Sequence, residues 1–245
     1  MIASLPMYDQ PSQRAANDAL WSRIRAALGY GPERLTRSGD LWAQWTAPDL
    51  LLSQTCGLPF RARLHERVQL VGTPDHGLEG CPPGHYNSVI VVRKGGDISA
   101  PQELAGKTMA YNEALSQSGW AAPGAFLQAH GLTPGALVQS GAHQASAEMV
   151  AKGGADFAAI DARAWQIFEE HTQLGESLAV IARTEPTPAL PYITARGNDA
   201  AEILTAFQAG LDALPDTERC RLAIRSVLHI PAADYLAQPI PAPPG

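Results

Sequence analysis

Short apolar runs alternate with apolar stripes of helical spacing along most of the chain, and this alternation constrains the fold more than any other feature. Ile2 to Met7 reads as a short buried strand, and Leu50 to Thr55 as another that ends at Cys56-Gly57. Between them Leu20, Ile24, Ala27 and Leu28 recur on one helical face. A short helix over Leu41 to Trp45, a helix over Leu58 to His65, a strand over Val68 to Val71 and a Gly/Pro-rich loop to Gly84 follow. Tyr86 to Arg93 carries the strongest strand signal. The middle third then repeats strand, polar turn and helix: Thr108 to Tyr111 and a helix reaching His130, Ala136 to Gln139 and a helix stopped by Gly153-Gly154, Asp156 to Ile160 and a helix through Trp165. Leu178 to Ala182 and Tyr192 to Ala195 are further strands. Ile203, Leu204, Phe207, Leu211 and Leu214 form one helical face, and Cys220, Ala223, Ile224, Val227 and Leu228 a second. The last residues, with Pro239, Pro241, Pro243 and Pro244, sustain neither helix nor central strand, and extend over the surface or fray.

This order predicts an α/β class with mainly parallel sheets flanked by helices, whose ligands sit beyond the carboxyl ends of the strands. Tyr8, Gln54, Thr55, Asn112, Ser116, Ser118, His143 and Asp161 all fall at or just after such ends, on different strands, which points to a single site. Ser116-Gln117-Ser118-Gly119 is a candidate oxyanion cradle: two hydroxyls and successive backbone N–H groups precede a helix, and a glycine lets the backbone approach a ligand. Pro123 moves the start of regular helix toward Ala122 and leaves the serines in a preceding turn. Taken singly, Ser116, Ser118 and Asp161 also fit simple helix caps, and His143 a helix-start residue satisfied by backbone.

The net charge of −6 and the absence of a Lys/Arg cluster argue against nucleic acid and against anionic membrane surfaces. No apolar run approaches the roughly 18 residues of a membrane span. Cys56, Cys81 and Cys220 lack the spacing of a zinc site, so neither metal nor cofactor is expected. Cys56 and Cys81 lie in loops and would pair in an oxidising compartment; three unpaired thiols is the other reading. The first residues carry no basic leader or long apolar run, which leaves export or a cytoplasmic location open.

Asn112 to Trp120 with Pro123 after it, Ser140 to Ser146, and Ala155 to Asp161 occur in an order and spacing that resemble the phosphate- and phosphonate-binding proteins of ABC transporters; Tyr86 to Arg93 resembles that family's strand toward the crossing between lobes. The resemblance spans about residues 1 to 230. It implies a type II periplasmic-binding fold, with residues 1–91 and 184–245 in one lobe and 92–183 in the other. It further implies that Ser116, Ser118 and His143 bind phosphonate or phosphate oxygens, that Asp161 faces a cationic group of the ligand, and that Tyr8 and Tyr86 line the first-lobe side. The implied partners are a small anionic ligand and an ABC permease, with transport as the role and the periplasm as the location. Two alternatives share the fold: a cytosolic enzyme resembling chorismate dehydratase, with Asp161 and His143 as its available acid and base, and a ligand sensor read by a partner protein.

Overall fold

The computed structural model describes residues 1–244. Its strands are β1 (Ile2–Ala3), β2 (Leu50–Gln54), β3 (Val68–Asp75), β4 (His85–Tyr86), β5 (Ser88–Arg93), β6 (Thr108–Tyr111), β7 (Ala136–Gln139), β8 (Phe157–Asp161), β9 (Leu178–Arg183), β10 (Thr187–Pro188), β11 (Tyr192–Ala195) and β12 (Ser226–Leu228). The chain divides into two compact units, Met1–His85 with Pro188–Gln238, and Tyr86–Thr187 with the residues from Pro239 onward.

In the first unit the sheet order is β1-β2-β11-β3-β12. Alternation along the strands sends side chains to two cores. Leu51, Val71, Tyr192 and Val227 pack with Leu20, Trp21, Ile24, Ile203, Phe207 and Leu211 from helices Arg14–Leu28 and Ala200–Asp212. Leu50, Val68 and Ile193 pack on the other side with Trp45, Phe60, Leu64 and Tyr235. The two helices of the first core approach closely at Gly210, where a Cβ would lie 2.8 Å from the Ile24 backbone nitrogen. Alanine there gains up to about 1 kcal/mol of helix propensity, but backbone cannot yield as a flexible side chain would. Gly210→Ala is therefore expected to lower unfolding stability by about 1–2 kcal/mol, as overpacking does; a denaturation midpoint equal to or above wild type would refute the close approach.

The second unit holds the sheet β7-β6-β8-β5-β9. β5 is buried from Ser88 to Val92, which accounts for its unbroken apolar run. Ile90, Val92, Met109, Tyr111, Phe157 and Ala159 meet Leu104 and Leu127 in its core.

Neither sheet is mainly parallel. β1 and β2 pair in parallel, as do β6 with β7 and β8, but β11 is antiparallel to β2 and β3, and β5 to β8 and β9. β5 and β11 are the strands that follow the two unit boundaries at 85/86 and 187/188, and each runs against its neighbours. A fully buried strand reads as an apolar run in either direction, so the pattern does not encode this reversal. The boundaries themselves fall outside 91/92 and 183/184, because β5 pairs with β9 from Val89 to Arg93 and both belong to the second unit. The residues from Pro239 onward also group with that unit. The expected second C-terminal helical face is replaced. Helix Asp216–Leu222 stops at Ala223, which is left-handed (φ 50°), and Ser226–Leu228 becomes the edge strand β12, antiparallel to β3. The strand expected over Ile2 to Met7 is cut to two residues by a 3-10 turn at Pro6–Tyr8.

Candidate functional site

The parallel strands β6, β7 and β8 end together at Tyr111, Gln139 and Asp161, and the turns that follow are tied to one another by backbone. Ser140 N–H donates to the Tyr111 carbonyl at 2.8 Å and Gly141 N–H to the Asn112 carbonyl at 3.0 Å. Ser140 Oγ lies 2.6 Å from Ser146 Oγ, fixing the turn from which helix His143–Ala151 starts. These bonds bring Asn112 and His143, 31 positions apart in sequence, to one edge of the sheet.

The serine turn occupies the same edge. Gln117–Ala121 forms a π-type turn that runs into helix Ala122–Ala129, so regular helix starts one residue before Pro123. Ser116 caps it: its Oγ accepts the Gly119 N–H at 3.0 Å, which leaves its own hydroxyl hydrogen to donate elsewhere. Ser118 Oγ lies 2.8 Å from His143 Nε2. The carbonyl of Ser118 accepts from Ser88 Oγ at 2.9 Å, and Ser88 is the cross-strand partner of Asp161. All three residues, Ser116, Gln117 and Ser118, are buried. Gly119 is required by proximity: a Cβ there would overlap Asn112 Oδ1 and lie 3.3 Å from His143 Cε1.

At His143 the electrostatics are those of a neutral group. Burial pushes the His143 imidazole down to about 4, with the Ala159 backbone carbonyl pulling weakly the other way. The ring is uncharged at neutral pH and carries one N–H. Its Nδ1 is enclosed without a partner in hydrogen-bonding geometry among the described residues, as is Asn112 Oδ1. Ser118 and His143 share one hydrogen between them, and the ring tautomer decides which of the two donates.

Asp161 has a structural duty on this edge. Its Oδ1 accepts the N–H groups of Arg163 and Ala164 at 2.8 and 3.1 Å, capping helix Ala162–His171. Tyr86 is buried at the start of the second unit. Tyr8, Gln54 and Thr55 belong to the first unit. Tyr8 packs edge-on against His76, ring centroids 5.5 Å apart. Gln54 Nε2 donates to the Leu190 carbonyl at 3.2 Å, and Thr55 Oγ1 is buried without a partner among the described residues. None of the three cysteines is in a disulfide.

Sequence reading missed three features. Ser88 opens an otherwise apolar strand and supports the serine turn; a lone hydroxyl at the head of an apolar run is the signal that would have found it. Arg163 is buried at 3% exposure in the first turn after Asp161, with Nη1 donating to Gln166 Oε1 at 3.2 Å. Thr73 Oγ1 and Tyr235 Oη, 2.7 Å apart in the first unit, join residues 162 positions apart, and no local pattern signals that pairing.

Residues 52–224 match the family described as the periplasmic substrate-binding protein of phosphonate ABC transporters. No curated protein matches the chain in sequence. Among solved structures, PhnD1 from Prochlorococcus marinus in complex with methylphosphonate superposes with a TM-score of 0.76 at 15% identity, covering 96% of this chain and 94% of that one. A binding-protein component of an ABC phosphonate transporter from Pseudomonas aeruginosa gives 0.69 at 15% identity over 93% and 80%. A Xanthomonas citri protein bound to ATP gives 0.68 at 14% identity over 96% and 92%. At these identities the likeness establishes the fold, that of type II periplasmic binding proteins.

Proposed function

We propose that this chain, which belongs to the periplasmic substrate-binding protein family of phosphonate ABC transporters, holds a small phosphonate or phosphate-like oxyanion at the Ser116–Gly119 turn and delivers it to a transporter permease. The observation that carries the reading is the Ser118–His143 pair set at the head of a capped turn, at the common carboxyl end of three parallel strands. An anion arriving there meets the Ser116 hydroxyl and the Ser118 backbone N–H, which has no acceptor within its own helix. It also draws the Ser118 hydroxyl hydrogen toward itself, which selects the His143 tautomer with its N–H on Nε2, donating to Ser118 Oγ. Asn112 and Gly119 hold the cradle in place. Asp161 steadies the adjacent helix start and presents its buried carboxylate to any cationic group on the ligand, while Tyr86 of the same unit supplies a further contact. The family is one of binding proteins, and the role asked of these residues is hydrogen bonding without chemistry. In this reading the protein works on the periplasmic side of the membrane; no helix among the described residues is long and apolar enough to cross one.

Isothermal titration with methylphosphonate, phosphate, a small sulfonate and a dicarboxylate tests the proposal. Methylphosphonate or phosphate should bind most tightly. Ser118→Ala should weaken that binding about ten- to a hundredfold, the loss of a hydrogen bond to a charged group. Ser116→Ala should show a comparable loss together with about 0.5–2 kcal/mol of stability, because this serine is also a cap. Unchanged affinity in both variants, or no affinity of the wild type for either oxyanion, would sink the assignment.

A further inference from the structure

We propose that Pro239–Pro244 forms a proline strap that docks on Trp120 and slows the release of the ligand held by the neighbouring turn. The strap begins where the first unit ends, at Gln238, and groups with the second unit. Its anchor is a hydrogen bond of 3.0 Å from Trp120 Nε1 to the Ala242 carbonyl. Trp120 is the residue after Gly119, its backbone N–H donates to the Ser116 carbonyl at 3.2 Å, and its indole packs against Tyr111 with ring centroids 5.3 Å apart. The anchor is thus part of the turn assigned to the oxyanion.

The composition of the segment suits this use. Prolines at 239, 241, 243 and 244 fix φ near the polyproline value and remove backbone donors, so little conformational freedom is lost on docking and the carbonyls stay available. An indole N–H donating to a carbonyl of a proline-rich segment is how aromatic grooves hold such peptides in other proteins. Through this bond the strap restrains Trp120, and with it the turn whose Ser116 carbonyl accepts the Trp120 N–H. An anion leaving the turn must part from its hydroxyl and N–H donors, and a restrained turn yields them less readily; for its effect on a ligand the strap rests on the oxyanion reading above.

The test compares the full chain, a variant lacking residues 239–245, and Trp120→Phe, which keeps an aromatic ring and loses the donor. In ¹H–¹⁵N spectra of the ligand-free proteins, the indole signal missing from Trp120→Phe should shift and exchange faster with solvent in the shortened chain. Stopped-flow release of methylphosphonate should speed up about three- to tenfold in both variants, as expected for one lost hydrogen bond, with association little changed. An indole signal identical in the full and shortened chains overturns the strap, as does an unchanged release rate once the signal has moved. If the full chain binds no methylphosphonate, the oxyanion reading fails, and the indole comparison alone still decides the docking.

Discussion

Gly119→Ala should lower oxyanion affinity by at least about a hundredfold. The added Cβ overlaps Asn112 Oδ1 and comes within 3.3 Å of His143 Cε1. Relief requires Asn112 to swing away or the turn to shift, and either movement disturbs the Gly119 N–H to Ser116 Oγ bond and the Ser118–His143 pair. Loss of two hydrogen bonds to a charged ligand, at about 1.5–3 kcal/mol each, accounts for the magnitude. Overpacking adds a stability cost of about 1–3 kcal/mol. Gly124→Ala is the matched control, since it lies in the following helix with open space around its Cβ. It should leave binding unchanged and stabilise the fold by up to about 1 kcal/mol. Full methylphosphonate affinity in Gly119→Ala would show that this turn is not the cradle.

Acid should destabilise the protein through His143. In the unfolded chain this imidazole takes a proton below about pH 6.5, whereas in the folded protein burial holds it neutral down to about 4. The stability it contributes is fully present above the unfolded value and is lost as pH falls from about 6.5 toward 4. The total is about 3 kcal/mol, an upper figure because the residue keeps part of its surface open. Carboxylates such as Glu103 and Glu148, held below their ordinary range by hydrogen bonds, add their own loss of stability as the solution becomes more acid. The diagnostic quantity is therefore the difference between wild type and His143→Gln, measured by denaturant unfolding at pH 7.5, 6 and 5. The variant should be less pH-sensitive over that interval. Parallel pH profiles would mean that His143 is not held neutral by burial.

Much of the candidate site was legible because it is built from short polar segments at strand ends. Ser116 to Gly119 stands out as hydroxyls and a glycine before a helix, and Pro123 correctly moves the regular helix to Ala122. The turn containing His143 is equally local. What these segments do for one another was not legible. That Ser118 meets His143 and not solvent, and that Gly119 is glycine because of Asn112, depends on the lateral pairing of β6 with β7 and β8. Asp161 shows the reverse case: the local signal of a cap and the wider signal of a site residue coincide on one side chain, and the cap bonds are what the structure displays.

By itself the sequence determined the elements: which runs are strands, which stripes are helix faces, where glycines and prolines stop them, and that the whole is α/β. Those are properties of neighbouring residues, since side-chain period and backbone preference act over a few positions. Only the tertiary structure decided strand direction, the unit boundaries at 85/86 and 187/188, and the fate of residues 223–228. A fully buried strand is apolar on both faces whichever way it runs, so β5 and β11 carry no mark of their reversal. The apolar residues of 220–228 satisfied a helical period, but the left-handed Ala223 broke the helix and the free edge of β3 took the segment as a strand. Long-range hydrogen bonding outweighed a local preference worth only tenths of a kcal/mol per residue.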